Sequence, residues 1–324
     1  MRPLCVGILT SRPVRAQVDG DPAAVERRVD VESARDMACA IRALGHEAAI
    51  LEVATADELV RHPKIPAVDL CMVAAHGPTG GSGRLVEVLE RLGIPYCAPA
   101  SNAIAGAFDK LAARKCLAQH GLPVPTTVVL SSDSEPNARA VAMLGWPCVA
   151  KPRHGAHGTE VAWLRDEAAV ADLVRRGAPT SDDILLERGI EGREVQVVLL
   201  GEQVLGAMEV HRAAGEPASM MVCPPQFGQV VLDGIYALAR RAVAALDLHA
   251  SLARVDLLCS PRQNECILEV EPLPPVHRRG VAARVAAAAG LSYEQLIARM
   301  LDHMALPARP TLAGHREAPL ATYA

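Results

Sequence analysis

Apolar and polar positions alternate in two short runs late in the chain, 254–258 and 266–271, with a polar stretch at 260–265 between them that contains Pro261 and Asn264. This is the pattern of a β-hairpin with one buried face, because side chains two apart in a strand point the same way. Val255, Leu257, Leu268 and Val270 make the apolar face, and Arg254, Asp256, Glu269 and Glu271 make the polar one. Pairing across the loop sets Asp256 opposite Glu269 and Arg254 opposite Glu271. Carboxylates crowded on one face repel one another. Either a divalent cation sits among them, for which hard oxygen donors suit Mg2+, or the face is solvated and Arg254 bridges the acids.

The same reading organises the rest of the chain. Short apolar runs at 4–10, 48–53, 68–75 and 94–97 alternate with helical spacing at 31–44 and 84–92. Such alternation predicts an open parallel sheet, whose ligands bind beyond the carboxyl ends of the strands. A Gly-rich loop at 76–83 lies there and opens a helix, where backbone N–H groups attract anions. It lacks the Lys-Ser/Thr pair of a P-loop. Further on come a helix at 109–119, a strand at 126–130, a helix at 136–144 and an apolar strand ending in Lys151, followed by a small-residue loop with His154 and His157. A Lys at a strand end facing such a loop is a phosphate clamp or a surface residue before a turn. Next are a run at 184–190, a hairpin of 195–200 with 203–210, a helix at 233–246, and closing helices at 281–289 and 293–304. The implied organisation is α/β: an N-terminal Rossmann-like lobe at 1–107, a central lobe at 108–183, a third lobe at 184–306 and a loose tail at 307–324.

Composition narrows the function. Half of the 324 residues are hydrophobic but only 2% are aromatic, so the core is built of Ala, Val and Leu. A net charge of −4 with both signs interspersed argues against a nucleic-acid or membrane surface. No apolar run reaches a membrane span, and the N-terminus has no signal-peptide pattern. The nine Cys are scattered without a C-x-x-C pair, as expected of reduced core thiols, Cys259 and Cys266 included, in a cytoplasmic protein.

Taken in order, the patterns resemble the ATP-grasp superfamily, and within it the D-alanine–D-alanine ligase family. The resemblance runs through the strand and His-Gly at 68–77, L-E-R-L-G-I-P-Y at 89–96, D-K at 109–110 and G-W-P-C-V-A-K-P at 145–152. It continues in E-G-R-E at 191–194, C-P at 223–224, R-V-D at 254–256 and L-E-V-E at 268–271. It implies ATP held between two α+β lobes with Mg2+ (or Mn2+) at the phosphates, amino-acid-like substrates, a carboxylate activated as an acyl phosphate, and attack by an amine. Members are often homodimers. By the same resemblance Lys110 and Lys151 bind phosphates, Glu187 stands at the adenine edge and Glu194 at the ribose. Asp256, Glu269 and Glu271 hold the metal, and Arg254 steadies the acyl phosphate.

The substrate half departs from the family pattern. Glu271 replaces an Asn metal ligand, Pro275 replaces a Gly whose N–H faces the oxyanion, and Gly280 stands near a substrate-binding Ser. Gly81 and Ser82 replace an acidic pair, the run 28–33 does not match the family's amine-binding Glu, and no Lys or Tyr lies between Glu209 and Cys223. His76, His157, Arg278 and Arg279 are the candidate substrate ligands; the alternative is a loop-shaping role for His76 and a solvated polar loop residue for the others. Two functions follow: a ligase acting on something other than two D-alanines, with D-alanine ligation itself as a subset, or a nucleotide-binding regulator without turnover.

Overall fold

The computed structural model describes residues 2–12, 22–131, 138–155, 161–175, 183–211, 220–260 and 265–303. The first strands and helices are β1 (Cys5–Ser11), α1 (Pro22–Ala43), β2 (Glu47–Val53), α2 (Ala56–Val60) and β3 (Leu70–Val73). α3 (Gly77–Gly81), α4 (Arg84–Leu92), β4 (Tyr96–Cys97) and α5 (Ser101–Phe108) follow. The four strands form a parallel sheet in the order β2-β1-β3-β4. β1 is buried from Val6 to Ser11, as a strand covered on both faces must be. The Gly-rich loop folds as the short α3, and Gly83, at φ 74°, starts α4. Gly80 is required there, since a Cβ would lie 1.8 Å from the Ala75 carbonyl oxygen.

The second group is α6 (Lys110–Gln119), β5 (Thr127–Leu130), α7 (Ala138–Leu144), β6 (Cys148–Pro152), β7 (Ala162–Leu164), α8 (Glu167–Arg175) and β8 (Ile184–Arg188). Its strands pair antiparallel in the order β5-β8-β6-β7. By hydrogen bonding, 184–188 therefore belongs with the strands before it.

The third group is β9 (Arg193–Leu200), β10 (Gln203–His211), β11 (Met220–Val222), α9 (Gln229–Ala245), β12 (Leu252–Cys259), β13 (Cys266–Glu271), α10 (Val281–Ala288) and α11 (Tyr293–Asp302). Its antiparallel sheet runs β11-β10-β9-β12-β13. Arg254 faces Glu271 and Asp256 faces Glu269, the register expected from the alternation. One detail differs. A bulge between Asp256 and Leu257 puts Leu257 opposite Ile267. The extra residue of a bulge shifts the alternation by one, so Ile267 is fully buried and Leu268 only half-buried.

α5 is missing from the sequence reading because its Ala-rich segment has no strong amphipathic stripe. One core joins β1, β3 and α1 to α10 and α11 through Ile8, Met37, Ile41, Leu296 and Ile297. Val276, from the loop before α10, packs into it, and its carbonyl accepts from the Tyr293 hydroxyl at 2.6 Å. Among the described residues no helix is long and apolar enough to cross a membrane. All nine cysteines are free thiols, and burial pushes Cys259 up to about 12 and Cys266 to about 11.

Candidate active site

The site starts from a helix cap. Asp109 accepts hydrogen bonds from the amides of Leu111 at 3.0 Å and Ala112 at 3.1 Å, which starts α6. Arg153 grips the same carboxylate with bonds of 2.8 and 2.6 Å and reaches Asp183 at 3.0 Å. This cap sets Lys110 at the first helical position, buried, where its Nζ donates to the Gly155 carbonyl at 2.5 Å and lies 3.7 Å from Glu269 Oε1.

One turn on, Arg114 is also buried. Its Nη2 lies 2.5 Å from Glu187 Oε1 and donates to the Leu268 carbonyl at 2.9 Å. Lys151, at the end of β6, sits 2.9 Å from Glu187 Oε2. Glu187 is 3% exposed, and this pairing is what lets three charges share a dry interior. Burial and Arg114 pull the Lys151 ammonium below its usual range, against the opposing pull of Glu187 and Glu269.

The hairpin brings the acids to the same place. Arg254 forks onto Asp256, Nε to Oδ1 at 2.7 Å and Nη2 to Oδ2 at 2.9 Å. Burial would raise the Glu269 carboxyl, but Lys110, Lys151, Arg254 and Arg114 together hold it below the ordinary range. Glu271 accepts from the Leu273 amide at 3.4 Å. Glu194, at the start of β9, accepts from Gln196 Nε2 at 3.1 Å. Lys110, Lys151, Glu187, Arg254, Asp256, Glu269 and Glu271 thus join one continuous charged cluster. Among the described residues no group of three His, Cys, Asp or Glu side chains converges as a complete metal cage.

The substrate-side candidates separate. His76 is buried and its Nδ1 is bound to Asp30, whose other oxygen takes the Ser11 hydroxyl. Arg278 is committed to the protein: its guanidinium lies 4.4 Å over the Tyr293 ring, Nη2 donates to Glu294 at 2.5 Å, and its amide donates to Asp36 at 2.8 Å. Arg279 pairs with Glu32 at 2.6 Å but also lines a pocket of about 210 Å³ with Arg254, Pro275, His277 and Gly280. His157 lies outside the described residues. Sequence reasoning missed Arg114, Asp30 and His277. Arg114 had one available signal, its position four residues after Lys110 on the same helical face. The other two had none, since their partners are distant in sequence.

The chain is similar to known proteins along most of its length. The family model for the D-ala D-ala ligase C-terminus matches residues 116–302. The D-alanine–D-alanine ligase of Gloeobacter violaceus is 32% identical over 289 residues, covering 86% of this chain and 95% of that protein. That of Desulforudis audaxviator is 32% identical over 293 residues, covering 85% and 94%. Among solved structures, the Bacillus anthracis D-alanine–D-alanine ligase complexed with ATP superposes with a TM-score of 0.81 at 20% identity, over 93% of this chain and 97% of that one. The VanG D-Ala:D-Ser ligase of Enterococcus faecalis gives 0.78 at 17%, over 93% and 99%. From the charged cluster, the three sheets and these matches together, the chain belongs to the D-alanine–D-alanine ligase family of ATP-dependent ligases.

Proposed function

We propose that this chain binds ATP, activates a carboxylate as an acyl phosphate and joins it to an amine, and that its substrate pair is not two D-alanines. The observation that carries this reading is the set of four cations, Lys110, Lys151, Arg114 and Arg254, around Glu269. Phosphoryl transfer needs charge neutralisation and positioning more than covalent help from the protein, and this cluster supplies both. Lys110 and Lys151 take the phosphates. Glu187 holds Lys151 in place from the adenine edge, and Glu194 serves the ribose. Arg254 steadies the acyl phosphate and the tetrahedral species that follows.

Asp256, Glu269 and Glu271 fit Mg2+ or Mn2+ in donor chemistry. They are hard oxygen donors on one hairpin face, and two of them already draw counter-cations, Arg254 onto Asp256 and Lys110 to 3.7 Å from Glu269. Mg2+ commonly takes one or two carboxylates and completes its shell with phosphate oxygens and water, so a full protein cage is not needed. When bound, the ion neutralises phosphate charge.

The altered residues around the substrate side support the second half of the proposal. Pro275 has no N–H to offer an oxyanion. A Cβ at Gly280 would lie 3.1 Å from the His277 carbonyl oxygen and 3.2 Å from the His277 ring, so a serine there would be crowded. A Cβ at Gly81 would collide with the Phe108 ring at 2.3 Å, which bars an acidic side chain.

The test is ADP release with Mg-ATP across a panel of D- and L-amino acids, D-alanine alone included. ADP with a panel member other than D-alanine is the expected result. A D-alanine dipeptide made at full rate would overturn the substrate assignment. The closed fork of Arg254 on Asp256 favours a second reading, nucleotide binding without turnover, which any substrate-dependent ADP release excludes.

A further inference from the structure

The pocket of about 210 Å³ next to Arg254 contains an imidazole that the reaction as described does not use. His277 lines it, beside Arg254, Pro275 and Arg279. Its side chain is 19% exposed, and its Nδ1 is sealed from solvent with no hydrogen-bond partner among the described residues. A buried polar atom left unpaired is costly, and a protonated imidazole relieves that cost by turning its Nδ1–H to Glu32, 3.9 Å away. The backbone around it is fixed: the His277 carbonyl accepts from the Gly280 amide at 2.8 Å, and Nε2 packs where a side chain at position 280 would begin.

We infer that His277 is the general base that takes a proton from the incoming amine. The inference rests on the ligase reading above. An amino acid enters as an ammonium ion and must lose a proton before its nitrogen can attack. That proton passes to the imidazole. The freed nitrogen lone pair attacks the acyl carbon, a C–N bond forms, and the C–O bond to phosphate breaks with its electron pair on the phosphate. The second N–H proton leaves with the phosphate, and the imidazolium returns its own proton to solvent.

The surroundings suit the role. Glu32 lies 3.9 Å from Nδ1 on α1, with Asp36 one turn further, and both stabilise an imidazolium as it forms. Burial pushes the imidazole below its ordinary range, aided by Arg279 and His76, and outweighs Glu32 and Asp36. Arg254, from β12, lines the same pocket. His277 is therefore neutral, as a base must be, at neutral pH.

Hydroxylamine separates the two steps, because it is an uncharged nucleophile at neutral pH and needs no base. With Mg-ATP and D-alanine, or the panel amino acid that releases ADP if D-alanine is inert, hydroxamate reports acyl-phosphate formation and amide reports attack by the amino acid. In His277→Gln, hydroxamate forms within about twofold of the wild-type rate. Amide formation falls about 100-fold at pH 7, the scale of a lost general base. Its rate then climbs about tenfold per pH unit as the free-amine fraction of the amino acid grows, where the wild type is flat. A second variant, Glu32→Gln, shifts the acid limb of the wild-type profile to lower pH, because it removes a group that raises His277. Equal loss of hydroxamate and amide in His277→Gln, or an unchanged amide profile in both variants, overturns the inference. Absence of ADP and hydroxamate from the wild type on every panel member overturns it together with the ligase reading, whereas hydroxamate without a base effect sinks this step alone.

Discussion

Glu269 lies within the field of four cations, which hold its carboxyl below the ordinary range against the cost of burial. Glu269→Gln keeps the shape and removes the charge. Mg2+-dependent ADP release should fall by about 100-fold or more, the scale of losing one preorganised electrostatic contact, with the thermal midpoint held within a few degrees. Normal turnover would remove Glu269 from the metal site. The adjacent arginines invite a comparison. Arg278 is bonded to Glu294 and stacked on Tyr293, whereas Arg279 reaches the pocket. Arg278→Ala should cost about 1 kcal/mol of stability through the lost cation–π contact and a half-exposed ion pair, with substrate KM unchanged. Arg279→Ala should leave stability alone and raise substrate KM about tenfold, leaving KM for ATP in place. The opposite assignment of KM and stability between the two variants would reverse these roles. Arg278 and Arg279 read alike in sequence because neighbouring charges on a loop carry no period that tells which one faces inward.

At the scale of elements, the β9–β10 hairpin is locked by a single acid. Glu209 is 1% exposed; Arg193 grips it with bonds of 2.7 and 2.6 Å and lies 3.7 Å over the Phe227 ring, while the Gln226 amide donates to it at 3.2 Å. The Arg193 hydrogen bond, against the cost of burial, holds the Glu209 carboxyl below its usual range. A depressed carboxyl contributes stability above its unfolded pKa and loses it as pH falls through the folded one. Glu209→Gln should therefore cost about 2 kcal/mol at pH 7, the scale of a hydrogen bond to a charged group. The gap from wild type should narrow below about pH 4, near the unfolded glutamate value, as urea unfolding at several pH values would show. A gap that stays constant with pH would mean shape, and not charge, is what the variant loses. The hairpins themselves were legible because period-2 alternation is local. The bulge at Asp256–Leu257 was not, since the alternation along one strand does not mark where its pairing slips by a residue.

For the whole molecule, the site exists only where three sheets converge. α6 bridges the second and third: Arg114 holds Glu187 of β8 and the Leu268 carbonyl of β13, and the Ile267 amide donates to the Pro123 carbonyl at 2.9 Å. Arg114→Ala strands Glu187 with one partner in the interior and should destabilise by about 3 kcal/mol, the usual cost of breaking a buried pair. Mg-ATP at about 100 times its Kd should stabilise the wild type by about 2.7 kcal/mol. It should stabilise Lys151→Ala far less, as read from thermal midpoints. Equal stabilisation of both would show that Lys151 does not touch the nucleotide.

What the amino-acid sequence determined alone is what short-range periodicity and residue chemistry carry. These are the parallel first sheet, the acidic face of the 254–271 hairpin with its pairing of Asp256 to Glu269, and Lys151 ending an apolar strand; Lys110 stood out only through the family resemblance. Tertiary structure alone decided which charges neutralise which. Arg114 meets Glu187 across 73 residues, Asp30 meets His76 across 46, and Arg279 meets Glu32 across 247. It also decided that His277 faces a pocket. Such pairings follow from packing sheet against helix, and no local pattern of hydrophobic and polar positions encodes the partner of a buried charge.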